Sequence, residues 1–173
     1  MPATSEARLT DSRPSDGTPP ESIFLSGESY FQAAEYLETA IREGRLKLSF
    51  QPQSVYYLYR RSLELGMKAF LRSRGATVRE LAGHRLGYNL GNLLEEALVH
   101  RLPLDSDFRK LARRVIKMFD RADREQQFRY VVVDVRLLPE LGAVHRVGQG
   151  LFAAIRPYCP GSSAQPMADP KDP

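Results

Sequence analysis

The sequence predicts an all-α protein, folded as an up-and-down bundle of about five helices with disordered tails. Three observations lead to this prediction. Apolar residues recur at the 3.6-residue period of a helix in five successive segments, most connections between these segments are short, and glycine or proline marks several of their ends. Helices that follow one another through short loops pack as antiparallel neighbours, which is the arrangement of an up-and-down bundle.

The composition supports one soluble domain. The chain has 173 residues, enough for one ordinary domain with little room for a second. Its 42% hydrophobic and 27% charged residues exclude both a wholly disordered chain and a membrane bundle. No run approaches about 18 consecutive apolar residues, and the N-terminal sequence contains no hydrophobic signal segment. We therefore expect a cytoplasmic protein without membrane contact.

The chain divides into a compact centre and two polar tails. Residues 1–25 and 159–173 are poor in apolar side chains, so burial cannot offset the entropy lost on ordering them. They are predicted to be disordered, and residues 26–158 to form the helical bundle. The net charge is +4, but residues 27–158 hold 22 basic and 15 acidic residues, which gives +7. The bundle is thus the basic part of the chain.

The first predicted helix starts after Ser26 or Ser29, because either hydroxyl can cap exposed amides, and it ends at Gly44. One side of this helix carries an apolar stripe at helical spacing, which predicts a single buried face. The stripe consists of Tyr30, Ala34, Leu37 and Ile41.

The second helix has Pro52 in its first turn, runs to about Arg74 and stops at Gly75. Gly66 lies in its middle, where glycine costs about 1 kcal/mol relative to alanine. Its presence predicts that another backbone passes close by. The core face of this helix is predicted to be Tyr56, Tyr59, Leu63, Met67 and Phe70.

A polar connector, TVRELAGHR, precedes the third helix and can itself hold a short turn. The third helix is predicted to carry Leu86, Leu90, Leu93, Leu94, Ala97 and Leu98. The fourth opens at Asp105 or Ser106, either of which can serve as its cap. One side of it presents Phe108, Leu111, Ala112, Val115, Phe119 and Ala122.

The last helix starts near Pro139 and ends at Pro157, with Leu141, Val144, Val147, Leu151 and Ile155 on its buried side. Residues 131–135, Val-Val-Val-Asp-Val, form a β-branched run with no evident pairing partner. We interpret them as an extended connector or a short edge segment.

Four segments carry a resemblance to a known family. In order they are YFQAAEYLETAIREG, YLYRRSLELGMKAFLRSRG, GHRLGYNLGNLLEEAL and FRYVVVDVRLLPEL. Together they resemble the successive elements of the HEPN domain family over roughly residues 28–157. The most telling part is Lys-x-Phe-Leu at 68–71, which leads to Gly75 and then to a Gly-His-x-Leu connector at 83–86.

The resemblance implies an all-α bundle, commonly a homodimer, of prokaryotic proteins that work with nucleotides or RNA. Some members of the family are metal-independent ribonucleases of toxin and defence systems, and others accompany a nucleotidyltransferase. Our leading expectation is a non-catalytic module that dimerises and binds a nucleotide, RNA or a protein partner, such as a nucleotidyltransferase or an antitoxin. No cofactor is expected.

The alternative is a metal-independent endoribonuclease that uses Arg79 and His84, whose four intervening residues match the ribonuclease motif of the family. Imidazole can take the proton of a 2′-hydroxyl while guanidinium steadies charge on the phosphate. Tyr88 or Asn89 would then orient the substrate. Against this, Glu80 would repel phosphate and could pair with Arg79, and the pair lies earlier in the bundle than in the family. A structural role for His84, as cap or buttress of the third helix, competes with catalysis.

The fourth helix also carries a cationic set that is predicted to share one face, opposite its apolar residues. These are Lys110, Arg113, Arg114, Lys117 and Arg121. Such a face suits RNA or an acidic partner, because bound phosphates release counterions. The competing interpretation is a structural dimer with a solvated helix face, some of whose charges are balanced by Asp107 and Asp120.

The remaining polar residues have structural interpretations. His100 and His145 have no companions at ligand spacing, so no metal site is predicted. The single Cys159 permits no intrachain disulfide and is expected to be unreactive. Arg60, Glu64, Lys68 and Arg72 recur every four residues along the second helix, which favours intrahelical ion pairs. The tyrosines at 56, 57, 59 and 88 suit base stacking or, more commonly, a core or a dimer interface.

Overall fold

The computed structural model describes residues 17–47, 53–124 and 138–161, and these residues form helices and turns without a strand. Six α-helices follow one another, and a 3₁₀ turn ends the last of them. They are α1 (Pro20–Arg42), α2 (Gln53–Ser73), α3 (Val78–Ala82), α4 (Leu90–Val99), α5 (Ser106–Arg124) and α6 (Leu141–Ile155). The predicted all-α bundle is confirmed. None of these helices is both long and apolar enough to cross a membrane.

Helix α2 is the centre of the bundle and packs against α1, α4 and α6. All five residues of its predicted core face are buried, and Tyr59, Met67 and Phe70 are fully enclosed. Helix α5 covers α4 and α6 from the other side. Each large apolar side chain that this packing removes from water contributes about 1.5–3 kcal/mol to folding.

Helices α1 and α2 approach each other at two glycines. A Cβ built on Gly27 would lie 3.2 Å from the amide nitrogen of Gly66, and the ring of Phe152 lies at 3.2 Å from the same Cβ position. The close backbone contact that Gly66 predicted is therefore present, and α1 supplies it.

The predicted start of α1 is wrong, because the helix begins at Pro20. Proline suits this first position, since its missing N–H would have no intrahelical partner. The hydroxyls of Ser26 and Ser29 lie inside the helix and bond carbonyl oxygens one turn earlier, at 2.9 Å each. Phe24 is fully buried and anchors this first part of the helix. One large aromatic residue thus orders a segment that its polar composition had placed in the tail.

The C-terminal boundary also differs from the prediction. Cys159, placed at the start of the disordered tail, belongs to the core and is fully buried. Burial raises the pKa of its thiol to about 11, in keeping with the expected low reactivity. The run at 131–135 and the tails at 1–16 and 162–173 lie outside the described residues, so their predicted conformations stay predictions.

The other helix ends inside the bundle lie where the sequence predicted them, except the start of α4. Helix α2 stops before Gly75, whose φ of 95° is the left-handed conformation that favours glycine. Asp105 caps α5, because its Oδ1 accepts the amides of Asp107 and Phe108 at 3.0 and 2.9 Å. Leu86 is buried as predicted, but it lies in the connector before α4. The connector also holds the short helix α3.

Candidate functional site

The five predicted cationic residues of α5 all lie on its exposed side. The opposite side of the helix is buried against the bundle through Ala112, Val115, Ile116, Phe119 and Ala122. The helical period therefore placed this set correctly, and we call Lys110, Arg113, Arg114, Lys117 and Arg121 the cationic face.

Carboxylates neutralise part of the cationic face. Lys110 pairs with Asp107 at 2.9 Å, and Arg113 donates two hydrogen bonds to Glu95 of α4, at 2.7 and 2.8 Å. The guanidinium of Arg113 lowers the pKa of the Glu95 carboxyl. Arg114 and Lys117 contact no carboxylate within the described part of the chain. These two exposed cations are available to an anionic ligand.

Asp120, which was expected to balance charges of the cationic face, joins α5 to the start of α4. Its carboxylate accepts the backbone amides of Leu90 and Gly91 at 3.0 and 2.8 Å. These amides belong to the first turn of α4, so they have no carbonyl acceptor within the helix. Negative charge is also favoured at this end of a helix. Asn89 caps the same helix, since its Oδ1 accepts the Asn92 amide at 2.7 Å. Asn89 therefore caps α4, a structural role that its sequence pattern did not indicate.

A groove of about 310 Å³ lies between α4 and α5 beside this junction. Its lining residues are Gly91, Leu94, Glu95, Arg113, Ile116, Lys117 and Asp120. Two members of the cationic face, Arg113 and Lys117, thus meet the start of α4 in one concave surface.

The loop before α4 is held by charged residues of α2. Arg60 donates a hydrogen bond to the carbonyl of Tyr88 at 2.9 Å, and Lys68 donates one to the carbonyl of Gly87 at 3.1 Å. The carboxylate of Glu64 accepts from Lys68 at 2.7 Å and from Arg61 at 2.9 Å. The predicted intrahelical ion pairs are confirmed for Glu64 and Lys68.

The burial of this charged cluster was not predicted. Glu64 and Arg60 are only 3% and 8% exposed. Taking such charges out of water costs several kcal/mol unless hydrogen bonds and opposite charges satisfy them. A spacing of four residues looks the same on a solvated helix face, so the sequence carries no signal that separates the two cases.

A cleft of about 530 Å³ lies where α3 and its flanking turns meet α2 and α4. His84 lines it and is exposed, together with His100, Arg74 and Arg85. Arg79 is exposed as well, but it is not among the residues of this cleft. This cleft therefore holds only one member of the predicted catalytic pair.

The expected pairing of Glu80 with Arg79 is wrong. Glu80 closes a capping box, because its carboxylate accepts the amide and the hydroxyl of Thr77 at 2.7 and 2.8 Å. These hydrogen bonds lower the pKa of the Glu80 carboxyl. His84 does not cap α4, since Asn89 does so.

His145 has companions that the sequence did not indicate. Tyr59 donates a hydrogen bond to Glu38 at 2.6 Å, and its hydroxyl oxygen lies 3.2 Å from Nδ1 of His145. Glu35 lies 3.6 Å from the same nitrogen. These residues come from α1, α2 and α6, so only the packed bundle unites them. Across the described ranges, no group of three or more His, Cys, Asp or Glu side chains is arranged to hold a metal ion.

No protein-family model, curated protein or solved structure matches this chain. The resemblance to the HEPN family, the homodimer and the protein partners that it implies stay predictions.

Proposed function

We propose that this chain is a non-catalytic, HEPN-like module that binds single-stranded RNA through the cationic face of α5. The observation that carries the proposal is the pair Arg114 and Lys117, two exposed cations without an acidic contact in the described structure. They stand beside a groove that Lys117 itself lines. Exposed cations along one helix suit a chain of phosphates, since each phosphate they neutralise releases condensed counterions.

The groove favours a single strand. Its volume of about 310 Å³ is small, and a flexible backbone can follow the cations along α5 without a wide complementary surface. A solvated helix face would show no preference for RNA, and an acidic protein partner would compete with it for the same cations. The experiment distinguishes a solvated helix face from RNA binding.

The experiment measures the fluorescence anisotropy of a fluorescein-labelled, 12-nucleotide RNA of mixed A and C, which cannot pair with itself. The affinity of the wild-type chain should fall steeply with salt. The variant Arg114→Gln/Lys117→Gln should bind more weakly, and the slope of log affinity against log salt should decrease by about 1.4 for two lost phosphate contacts.

The matched control is Arg146→Gln/Lys47→Gln, which removes the same charges from exposed positions outside α5. It should retain the wild-type slope. Equal weakening in both double variants would show that only net charge matters, and the cationic face would lose its assigned role. No binding by the wild-type chain at 50 mM salt would contradict the proposal as a whole.

A second candidate function is the metal-independent endoribonuclease. The observation that favours it is the presence of two histidines, His84 and His100, in the cleft between α2 and α4 together with Arg74 and Arg85. One imidazole could take the 2′-hydroxyl proton as the oxygen attacks phosphorus, and the other could protonate the leaving 5′-oxygen. Arginine would stabilise the charge on the phosphate.

Cleavage of total RNA in EDTA tests this candidate, with His84→Ala and His100→Ala compared with His145→Ala. A ribonuclease of the predicted type should lose activity in the first two variants and keep it in the third, because His145 lies in a different cluster. Equal cleavage by all four proteins would assign the activity to a contaminant, and the chain would remain a binding module.

A further inference from the structure

The loop between α3 and α4 displays one aromatic side chain to solvent. Tyr88 is 75% exposed, whereas Tyr56 and Tyr59 of α2 are buried. Its ring makes no hydrogen bond and no ring contact with the rest of the described chain. Most of the Tyr88 side chain is therefore accessible to a ligand.

The backbone beneath Tyr88 is anchored by the buried charges of α2. Arg60 bonds the carbonyl of Tyr88 itself, and Lys68 bonds the carbonyl of the preceding Gly87. Both cations also form ion pairs with Glu64, at 3.8 and 2.7 Å. Arg60 and Glu64 are buried, and burying charges disfavours folding unless their partners are well placed, so these contacts hold the loop in one position.

The residues on either side of Tyr88 are constrained too. A Cβ on Gly87 would lie 2.8 and 2.9 Å from the carbonyl oxygens of Ala82 and Gly83, so the turn is too tight for any other residue. After Tyr88, the carboxylate of Asp120 holds the first two amides of α4. The chain can therefore present the ring with little loss of conformational entropy on binding.

The loop that carries this ring lies beside the part of α5 that holds Asp120. Asp120 of α5 accepts the amide of Leu90. Leu90 is two residues from Tyr88 in sequence, so the Cα atoms of Leu90 and Tyr88 lie within about 8 Å of each other. Lys117 precedes Asp120 by one helical turn and lines the adjoining groove. Tyr88 does not line this groove, so a strand whose phosphates contact Lys117 would have to extend beyond the groove to place a base against Tyr88.

We propose that Tyr88 is a base-stacking residue for single-stranded RNA, held in position by the Arg60–Glu64–Lys68 cluster. The inference rests on the proposed function, since it assigns the base contact that accompanies the phosphate contacts. Stacking on an aromatic side chain tolerates every base, because each base has a π-face. Tyrosine and phenylalanine should therefore serve equally at this position.

The direct test uses the absence of tryptophan from the chain. Tyr88→Trp introduces a single indole, and titration with the unlabelled 12-nucleotide RNA should quench its fluorescence as bases stack on it. The control is Tyr36→Trp on α1, another exposed position, at 66%, which should not be quenched.

Affinity provides the second readout. Tyr88→Ala should weaken binding of the labelled RNA by about 5-fold to 100-fold, the range expected for one lost stacking contact. Tyr88→Phe should bind like the wild type, and so should Tyr36→Ala. The salt slope of Tyr88→Ala should stay unchanged, because no phosphate contact is removed.

The outcomes separate this inference from the proposed function. Salt-dependent binding in which Tyr88→Ala equals the wild type, or in which Tyr88→Trp is not quenched, would overturn the stacking role and leave the cationic face intact. Loss of affinity in Tyr88→Phe equal to that in Tyr88→Ala would also overturn it, since stacking does not need the hydroxyl. If the wild-type chain binds no RNA, both proposals fail together.

Discussion

Phe31 of α1 packs its ring directly on Gly148 of α6, in a position that a Cβ at Gly148 would have to share. Phe31 is buried, so its ring cannot swing into solvent to make room. The contact lets two helices of the bundle meet through one aromatic ring and one bare backbone. It also makes glycine at this position a packing requirement, although alanine would form the helix more readily.

We expect Gly148→Ala to destabilise the protein by about 1–3 kcal/mol, because overpacking outweighs the gain in helix propensity. The measurement is the urea midpoint by circular dichroism. Gly142→Ala in the first turn of the same helix is the control, since a Cβ there meets only the end of the Glu140 side chain, at 3.4 Å. It should be neutral or stabilising. A Gly148→Ala variant as stable as the wild type would contradict the close packing of α1 on α6.

Phe24 provides a test of the N-terminal boundary. Phe24→Ala should lower the free energy of unfolding by about 3–5 kcal/mol, since it empties a fully buried aromatic site. The neighbouring Leu25→Ala should change it by less than about 1 kcal/mol, because Leu25 is 41% exposed. Equal effects of the two substitutions in urea denaturation would indicate that the first turns of α1 are not part of the core.

Asp120 should contribute to stability more than its place on a charged helix suggests. Asp120→Ala leaves two amides of α4 without their acceptor, and we expect a loss of about 2 kcal/mol. Asp107→Ala, which removes only an exposed pair with Lys110, should cost at most about 0.5 kcal/mol. Thermal and urea unfolding of both variants would measure the difference, and similar losses would argue against the α4–α5 junction.

The buried hydroxyl of Tyr59 predicts a pH dependence of stability on the alkaline side. Burial, followed by the hydrogen bond to Glu38, raises the pKa of Tyr59 above its ordinary value of about 10. The folded state therefore holds this proton more tightly than the unfolded chain. The stabilisation is fully present below pH 10 and is lost as the pH rises above it.

Urea midpoints measured from pH 8 to 11.5 would follow this loss. Tyr59→Phe should be less stable at neutral pH, since Glu38 loses a donor, and its midpoint should fall less steeply above pH 10. The control Tyr36→Phe, at an exposed site, should reproduce the wild-type slope. An unchanged slope in Tyr59→Phe would show that Tyr59 does not carry the dependence.

The buried and exposed faces of single helices were predicted correctly from the sequence. The spacing of Tyr59, Leu63 and Met67 identified the core face of α2, and the same period placed Arg114 and Lys117 on the exposed side of α5. It failed where a segment depends on a few long-range contacts, as at Phe24 and Cys159. Local composition is a poor guide there, because one buried side chain can order a polar segment.

Contacts between helices could not be predicted from the sequence pattern. The pairing of Glu95 with Arg113 and the approach of Tyr59 to His145 depend on how the helices are rotated and offset against each other. The helical period identifies the buried face of a helix, but it gives neither the rotation nor the offset of one helix against another. The spacing of Glu64 and Lys68 predicted their ion pair, but it did not indicate that the pair is packed into the bundle.

The enclosed position of Cys159 has a practical consequence for handling this protein. The chain has one thiol, and in the folded state it is fully buried with a pKa of about 11. Folded chains cannot link to each other by oxidation without first exposing that sulfur. Any disulfide-linked species on a non-reducing gel would therefore report chains that had opened, and would not be evidence for a native dimer.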